Sequence, residues 1–168
     1  MKALLALPRV NAYRWAMFNI VMVHPEIPHN TGAAGRLALA TGARLHLVKP
    51  LGFDIDEKTV KRAGLDYWKD VDLVLWESWD AFYASVVDTS RMFLLTTKAS
   101  TNHWDADFKD GDYLLFGRET RGLDEALIAA HPDTAIKIPM LEGSTRSLNL
   151  ATAVAIVLYE GMRQVGFE

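Results

Sequence analysis

Short apolar runs rich in β-branched and aromatic residues alternate along the chain with stretches in which apolar positions recur every three to four residues. The runs 18–23, 45–48, 73–76, 92–96, 113–116 and 135–138 read as strands. Between them, Asn30 with Thr31 is placed to cap a helix through Ala40 ending at Gly42. Asp56 is placed to cap one through Ala63 ending at Gly64. Ser78 starts a helix through Val87, and residues 123–130 form another that stops before Pro132. The longest covers 148–165, with Leu150, Val154, Val157, Leu158 and Met162 on one period and small Ala151, Ala153 and Ala155 permitting close packing.

Strands separated by helices must run largely parallel, so the pattern predicts an α/β fold: a mostly parallel sheet covered by helices on both faces. Ligands of such sheets bind beyond the carboxyl ends of the strands, which directs attention to the segments after Val23, Thr96, Phe116 and Ile138. No repeat, linker or low-complexity stretch interrupts the chain, and 168 residues suit one core. Residues 1–16 read as a short extension or a misread start, and 17–168 as a single domain. The opening Met1 to Leu7 has a signal-peptide flavour, but Pro8 and Arg9 cut its apolar run short.

Composition narrows the chemistry. There are no cysteines, which excludes disulfides and thiolate metal sites and points to the cytoplasm. The five histidines show no metal-ligand spacing, so no metal is expected. Apolar runs are far shorter than the roughly 18 residues of a membrane span. A net charge of −3 gives no global signature of a nucleic-acid binder, so contact with RNA has to use a local basic surface.

Three of the four post-strand segments are unusually rich in Gly, Pro, Asn, Ser and Arg. Residues 25–36 could be only a turn and cap with glycines for close packing; alternatively, the N–H groups of the helix start hold an anion, with Arg36 further along. Gly32 and Gly35 lack the G-x-G-x-x-G order of a dinucleotide site, which argues against a Rossmann-like oxidoreductase. Residues 116–123, F-G-R-E-T-R-G-L, could be a solvated loop. In the functional reading Gly117 admits a ligand to the backbone while Arg118 and Arg121 offer forks for phosphate. In residues 138–150, Ser147 suits a helix cap, and the hydroxyl-rich loop before it could recognise an adenine edge through backbone groups. Lys98 joins the same rim. A non-catalytic RNA-binding module would explain the basic loops but not the glycine and cofactor-type loops together.

Taken together, N-x-G-x-x-x-R at 30–36, F-G-x-E-x-x-G-L at 116–123, and I-P-M at 138–140 followed by S-x-N-L at 147–150 resemble the three motifs of the SPOUT RNA 2′-O-ribose methyltransferases. F-N-I-V, P-E-I-P-x-N-T-G, R-A-G-L-D-Y-W at 62–68, T-T-K at 96–98 and D-G-D-Y-L-L-F-G at 110–117 resemble its small single-domain YibK/TrmL-like branch, tRNA wobble-nucleotide 2′-O-methyltransferases. The resemblance runs from Met17 essentially to the C-terminus.

It implies a SPOUT fold with a C-terminal trefoil knot, a homodimer that builds each active site from two chains, and S-adenosylmethionine as cofactor, with S-adenosylhomocysteine as product. The implied substrate is the ribose 2′-OH of cytidine or uridine 34 of tRNA, tRNA-Leu in particular; the alternative is another tRNA position or rRNA. Carried over residue by residue, the cofactor contacts fall on Leu95, Gly117, Ile138 and Ser147, with Met140 and Leu148 beside them. The catalytic positions fall on Arg36, Asn30 and Asn149. Lys98, Arg118, Arg121 and Arg146 are expected to meet tRNA phosphates. Two features depart from the family pattern: Arg118 stands where proline is common, and the loop from Met140 to Ser147 is one residue longer.

Overall fold

A computed structural model describes residues 17–55, 66–143 and 146–166. The expectations for residues 1–16, for the helix capped by Asp56, for the start of the 62–68 motif and for Ser144 and Thr145 lie outside the described residues.

The strands are β1 (Asn19–Val23), β2 (Arg44–Val48), β3 (Leu73–Trp76), β4 (Met92–Leu95), β5 (Thr101–Asn102), β6 (Tyr113–Phe116) and β7 (Ala135–Lys137). They form one sheet in the order β3-β2-β1-β6-β4-β7-β5, and every pair is parallel. Its helices are α1 (Pro28–Thr41), α2 (Trp79–Ser85), α3 (Glu125–Ala130) and α4 (Leu150–Val165), with 3-10 turns at Trp68–Asp70, Thr89–Arg91 and His103–Asp105. The expected strands all form; the two-residue β5 has no expected counterpart, because so short a strand carries no periodicity.

Strand alternation sorts the core into two layers. Ile20, Met22, Leu45, Leu47, Phe93, Leu114 and Phe116 point to one side, where they pack with Ala34 and Ala38 of α1 and Val154, Val157 and Leu158 of α4. Val21, Val23, Val48, Met92, Leu94 and Leu115 point to the other, against Phe82 of α2 and Leu127 and Ile128 of α3. Thus both faces are covered. Gly161 of α4 lets that helix settle on Phe18, which a Cβ there would approach to 2.8 Å.

Several expected helix boundaries are corrected. The N-cap of α1 is Ile27, which makes no side-chain cap bond; Pro28 at the first helical position is tolerated because its missing N–H had no helical partner. Asn30 and Thr31 lie inside the first turn. Gly42 ends the helix in the left-handed conformation at φ 72°, as expected. Ser78 caps α2 by accepting from the Ala81 N–H, and α3 begins at Glu125 rather than Leu123. The cap of α4 is Asn149, not Ser147: its side chain accepts from the Thr152 N–H at 3.2 Å.

Polar groups inside the sheet are paired. Trp76 Nε1 donates to His46 Nδ1 at 3.0 Å, so His46 Nε2 carries the proton and donates to Asn19 Oδ1 at 3.1 Å. Burial pushes this imidazole down to about 4. Asp112, 1% exposed, receives two hydrogen bonds from Arg91 at 2.7 and 2.5 Å and one from the Lys109 N–H, which holds the start of β6 against that of β4.

Candidate active site

The carboxyl ends of β4, β6 and β7, the first turn of α1 and the cap of α4 surround one cleft of about 450 Å³. That volume lies in the range of small-molecule sites. Leu95 closes β4, Gly117 follows β6, and Ile138 follows β7; Met140, Ser147 and Leu148 come from the loop before α4. All six line the cleft, as do Asn30, Asn149, Lys98, Arg118 and Arg121. Arg36 and Arg146 are not among the lining residues.

The mouth is organised by a residue that sequence reasoning passed over. Glu119 accepts from the Glu26 N–H at 2.7 Å, the Ile27 N–H at 3.1 Å and the Asn30 side-chain amide at 3.0 Å. Asn30 then accepts through Oδ1 from the Asn149 amide at 2.9 Å. This corrects the expectation of an anion site at the helix start: the anion there is the chain's own carboxylate. Glu26 answers by accepting from the N–H of Thr120 at 3.0 Å and from its hydroxyl at 2.8 Å. Those Thr120 bonds, above all the hydroxyl's, hold the Glu26 carboxyl below its ordinary range. The sequence showed Glu119 as the acid of the F-G-x-E-x-x-G-L motif, without a task; its physical hint was an acid among cations near a helix start that favours negative charge.

Gly117 is required by the chain itself. The turn after it closes back, with Arg118 and Gly122 exchanging backbone hydrogen bonds at 3.2 and 2.9 Å. A Cβ on Gly117 would lie 2.0 Å from the Gly122 carbonyl carbon and 2.1 Å from the Leu123 nitrogen.

The basic residues differ in their engagement. Arg118 turns its guanidinium onto His24 Nδ1 at 3.0 Å. His24 takes a positive φ of 52°, costly for a side chain other than glycine, and its N–H reaches the Val48 carbonyl. Burial, and then the Arg118 charge, keep its imidazole below the usual value. Lys98 pairs with Glu125 across the rim, lowering that carboxyl. Arg121 is exposed, on the lip near Glu26. Arg36 lies on the exposed side of α1, over the Tyr67 ring at 4.9 Å from its centroid. It lies six positions beyond Asn30, about 9 Å along the axis and roughly a third of a turn around it, so the two do not converge within one chain.

The cleft fits S-adenosylmethionine in kind. Leu95, Ile138, Met140, Leu148 and Leu150 give it an apolar wall for a purine and an aliphatic chain, while Asn30, Ser147 and Asn149 add polar groups at its edge. Among the described residues no three His, Asp or Glu side chains gather as a metal site, and no helix is long and apolar enough to cross a membrane.

Known proteins resemble this chain in sequence and in fold. A tRNA (cytidine(34)-2′-O)-methyltransferase of Burkholderia pseudomallei is 49% identical over 154 residues, covering 90% of this chain and 98% of the relative. A solved structure described as giving structural insights into the 2-OH methylation of C/U34 on tRNA is 46% identical with a TM-score of 0.81, covering 89% of this chain and 96% of the other. The SpoU methyltransferase AviRb from Streptomyces viridochromogenes, in complex with the cofactor AdoMet, is 30% identical with a TM-score of 0.71, covering 90% of this chain and 61% of that one. Residues 17–159 match the family described as SpoU rRNA Methylase, nearly the whole span over which the sheet, its helices and the cleft are built, and the chain belongs to that family.

Proposed function

We propose that this protein transfers a methyl group from S-adenosylmethionine to the ribose 2′-OH of the wobble nucleotide, cytidine or uridine 34, of tRNA, releasing S-adenosylhomocysteine. The observation that carries the reading is the hydrogen-bonded series Glu119, Asn30 and Asn149 at the mouth of a cleft built from three strand ends. Near-full-length relatives named for this reaction support the substrate.

Bound S-adenosylmethionine supplies an electrophilic methyl group. The chain's own residues do the rest by positioning, the largest contribution available to a transfer of this kind. Leu95, Ile138, Met140 and Leu148 exclude water from one side, and backbone groups after Gly117 and around Ser147 face the cofactor. Asn30 and Asn149, whose amides are fixed by each other and by Glu119, present a rigid polar edge to the ribose. Arg121, Arg146, Lys98 and Arg118 steer the phosphates.

Arg36 completes the set as the cation that orients the hydroxyl and its neighbouring phosphate. Since it does not reach the cleft of its own chain, a second copy must deliver it, and we read the working enzyme as a homodimer. Leu39 on α1 and Tyr159 on α4, helices that pack on each other, are exposed at 42% and 53% and are available to such a contact. Family membership supports a trefoil knot in the C-terminal part, and a tRNA substrate fits the cytoplasm.

The test is methylation of total tRNA, from a strain lacking the gene, with radiolabelled S-adenosylmethionine. Label at the 2′-oxygen of nucleotide 34, in leucine tRNA above all, is the expected result. Label confined to another tRNA position or to rRNA would replace the substrate and keep the chemistry.

A further inference from the structure

The glycines of α1 have a partner that the sequence did not reveal. Gly32, Gly35 and Arg36 share one face of the helix, being three and four residues apart. Against that face lies the segment Tyr67 and Trp68. The Trp68 ring occupies the place of a side chain at Gly35, where a Cβ would come within 2.4 Å of it. The Tyr67 hydroxyl donates to the Gly32 carbonyl at 2.8 Å, the carbonyl that faces the Arg36 N–H across one helical turn. Above that bond the Tyr67 ring presents its face to the Arg36 guanidinium.

From this we propose that Tyr67 is a positioning residue for methyl transfer, holding Arg36 in one orientation and ready as a cation on the outside of α1. The inference rests on the role given to Arg36 above. An exposed arginine samples many rotamers, and a ring face beneath its head selects among them. The tyrosine is itself fixed at both ends: Trp68 anchors the backbone beside it, and the bond to Gly32 sets the ring plane. Burial raises the phenol above its ordinary value, so the hydroxyl remains a donor. The arrangement also defines what Arg36 does. A ring face attracts a guanidinium only as a cation, and arginine stays protonated in proteins. Over the ring, Arg36 is presented as an oriented donor and positive charge.

Three substitutions of the full-length protein test this: Tyr67→Phe, Tyr67→Leu, and Tyr67→Leu combined with Arg36→Ala. Turnover on tRNA, KM for tRNA and calorimetric affinity for S-adenosylmethionine are measured for each beside Arg36→Ala alone. Tyr67→Leu is expected to lower kcat about tenfold or more with cofactor affinity unchanged, and Tyr67→Phe, which keeps the ring but loses the bond to Gly32, to fall between it and wild type. In the double variant the tyrosine change should add nothing to the arginine loss.

Should the leucine variant misfold, mono-, di- and trifluorinated phenylalanine at position 67 keep the shape while draining the ring face, and kcat should fall along the series. Wild-type kcat in Tyr67→Leu, a flat fluorination series, or losses that multiply with Arg36→Ala would overturn the role of Tyr67 while leaving the methyltransferase standing. Full activity of Arg36→Ala would instead remove the role of Arg36 and this inference together.

Discussion

The side-chain amide of Asn149 donates to the side-chain carbonyl of Asn30 at 2.9 Å, joining the cap of α4 to the first turn of α1 across 119 residues of sequence. With the same side chain Asn149 caps its own helix. The two roles separate in Asn149→Ser, since serine is a good cap but too short to reach Asn30. Its melting temperature is expected to stay near wild type while kcat on tRNA falls about tenfold or more. Wild-type turnover in Asn149→Ser, beside losses of both stability and turnover in Asn149→Ala, would mean that the cap is all that matters.

Glu119→Gln exchanges one acceptor oxygen for a donor that faces N–H groups. Three donors then compete for one oxygen, a cost of about 1–3 kcal/mol at the mouth. A lower kcat/KM for tRNA together with faster amide exchange at Glu26 and Ile27 is expected; unchanged exchange there would show that the clamp is dispensable.

Gly117→Ala collides with backbone, which cannot swing aside as a flexible side chain would. Opening the Arg118 to Gly122 turn should destabilise the protein by about 2 kcal/mol or more. Calorimetry should find the affinity for S-adenosylmethionine at least about tenfold weaker, and retention of full affinity would disconnect this turn from the cofactor.

The rim cations should differ in the salt dependence of tRNA binding. Arg121 is exposed on the lip, so Arg121→Ala should reduce the slope of log affinity against log salt by about 1. Arg118→Ala should change it less, because that guanidinium already serves His24. Equal slope changes would place Arg118 on phosphate when RNA is bound.

Acid should weaken the fold through His46. Folding holds this ring at about 4, below its ordinary 6.5, so between those values the unfolded chain binds the extra proton. The contribution is therefore complete above about pH 6.5 and declines as pH falls toward 4, by up to about 3 kcal/mol. Urea titrations across this window should show the decline, and it should shrink in His46→Gln. An identical pH dependence in the variant would assign the acid sensitivity to other groups.

Much of the architecture was legible because a parallel sheet buried on both faces writes continuous apolar runs, which the six expected strands displayed. The cofactor loops were legible as clusters of unusual residues at strand ends and through their family likeness. What escaped was long-range and polar. Asn30 reads as a cap from its neighbours, yet its amide is committed to Glu119 and its carbonyl to Asn149. Glu119 looks solvated in its own loop and acquires its role only when α1 arrives beside it. Tyr67 likewise reads as part of a motif without a task, since the glycines that receive it lie more than thirty residues away. Local propensity says little about such bonds, as it reports the chain's neighbours rather than the fold's.

The crossed pair at the mouth bears on how this protein can change over generations. Glu119 takes hydrogen bonds from the Glu26 segment, and Glu26 takes them from Thr120, positions 93 and 94 apart. Losing either acid strands the donors that met it, so neither site is free to drift alone. Substitutions at 26, 119 and 120 are expected to be inherited as a set, with a lineage that abandons one having to rebuild the others.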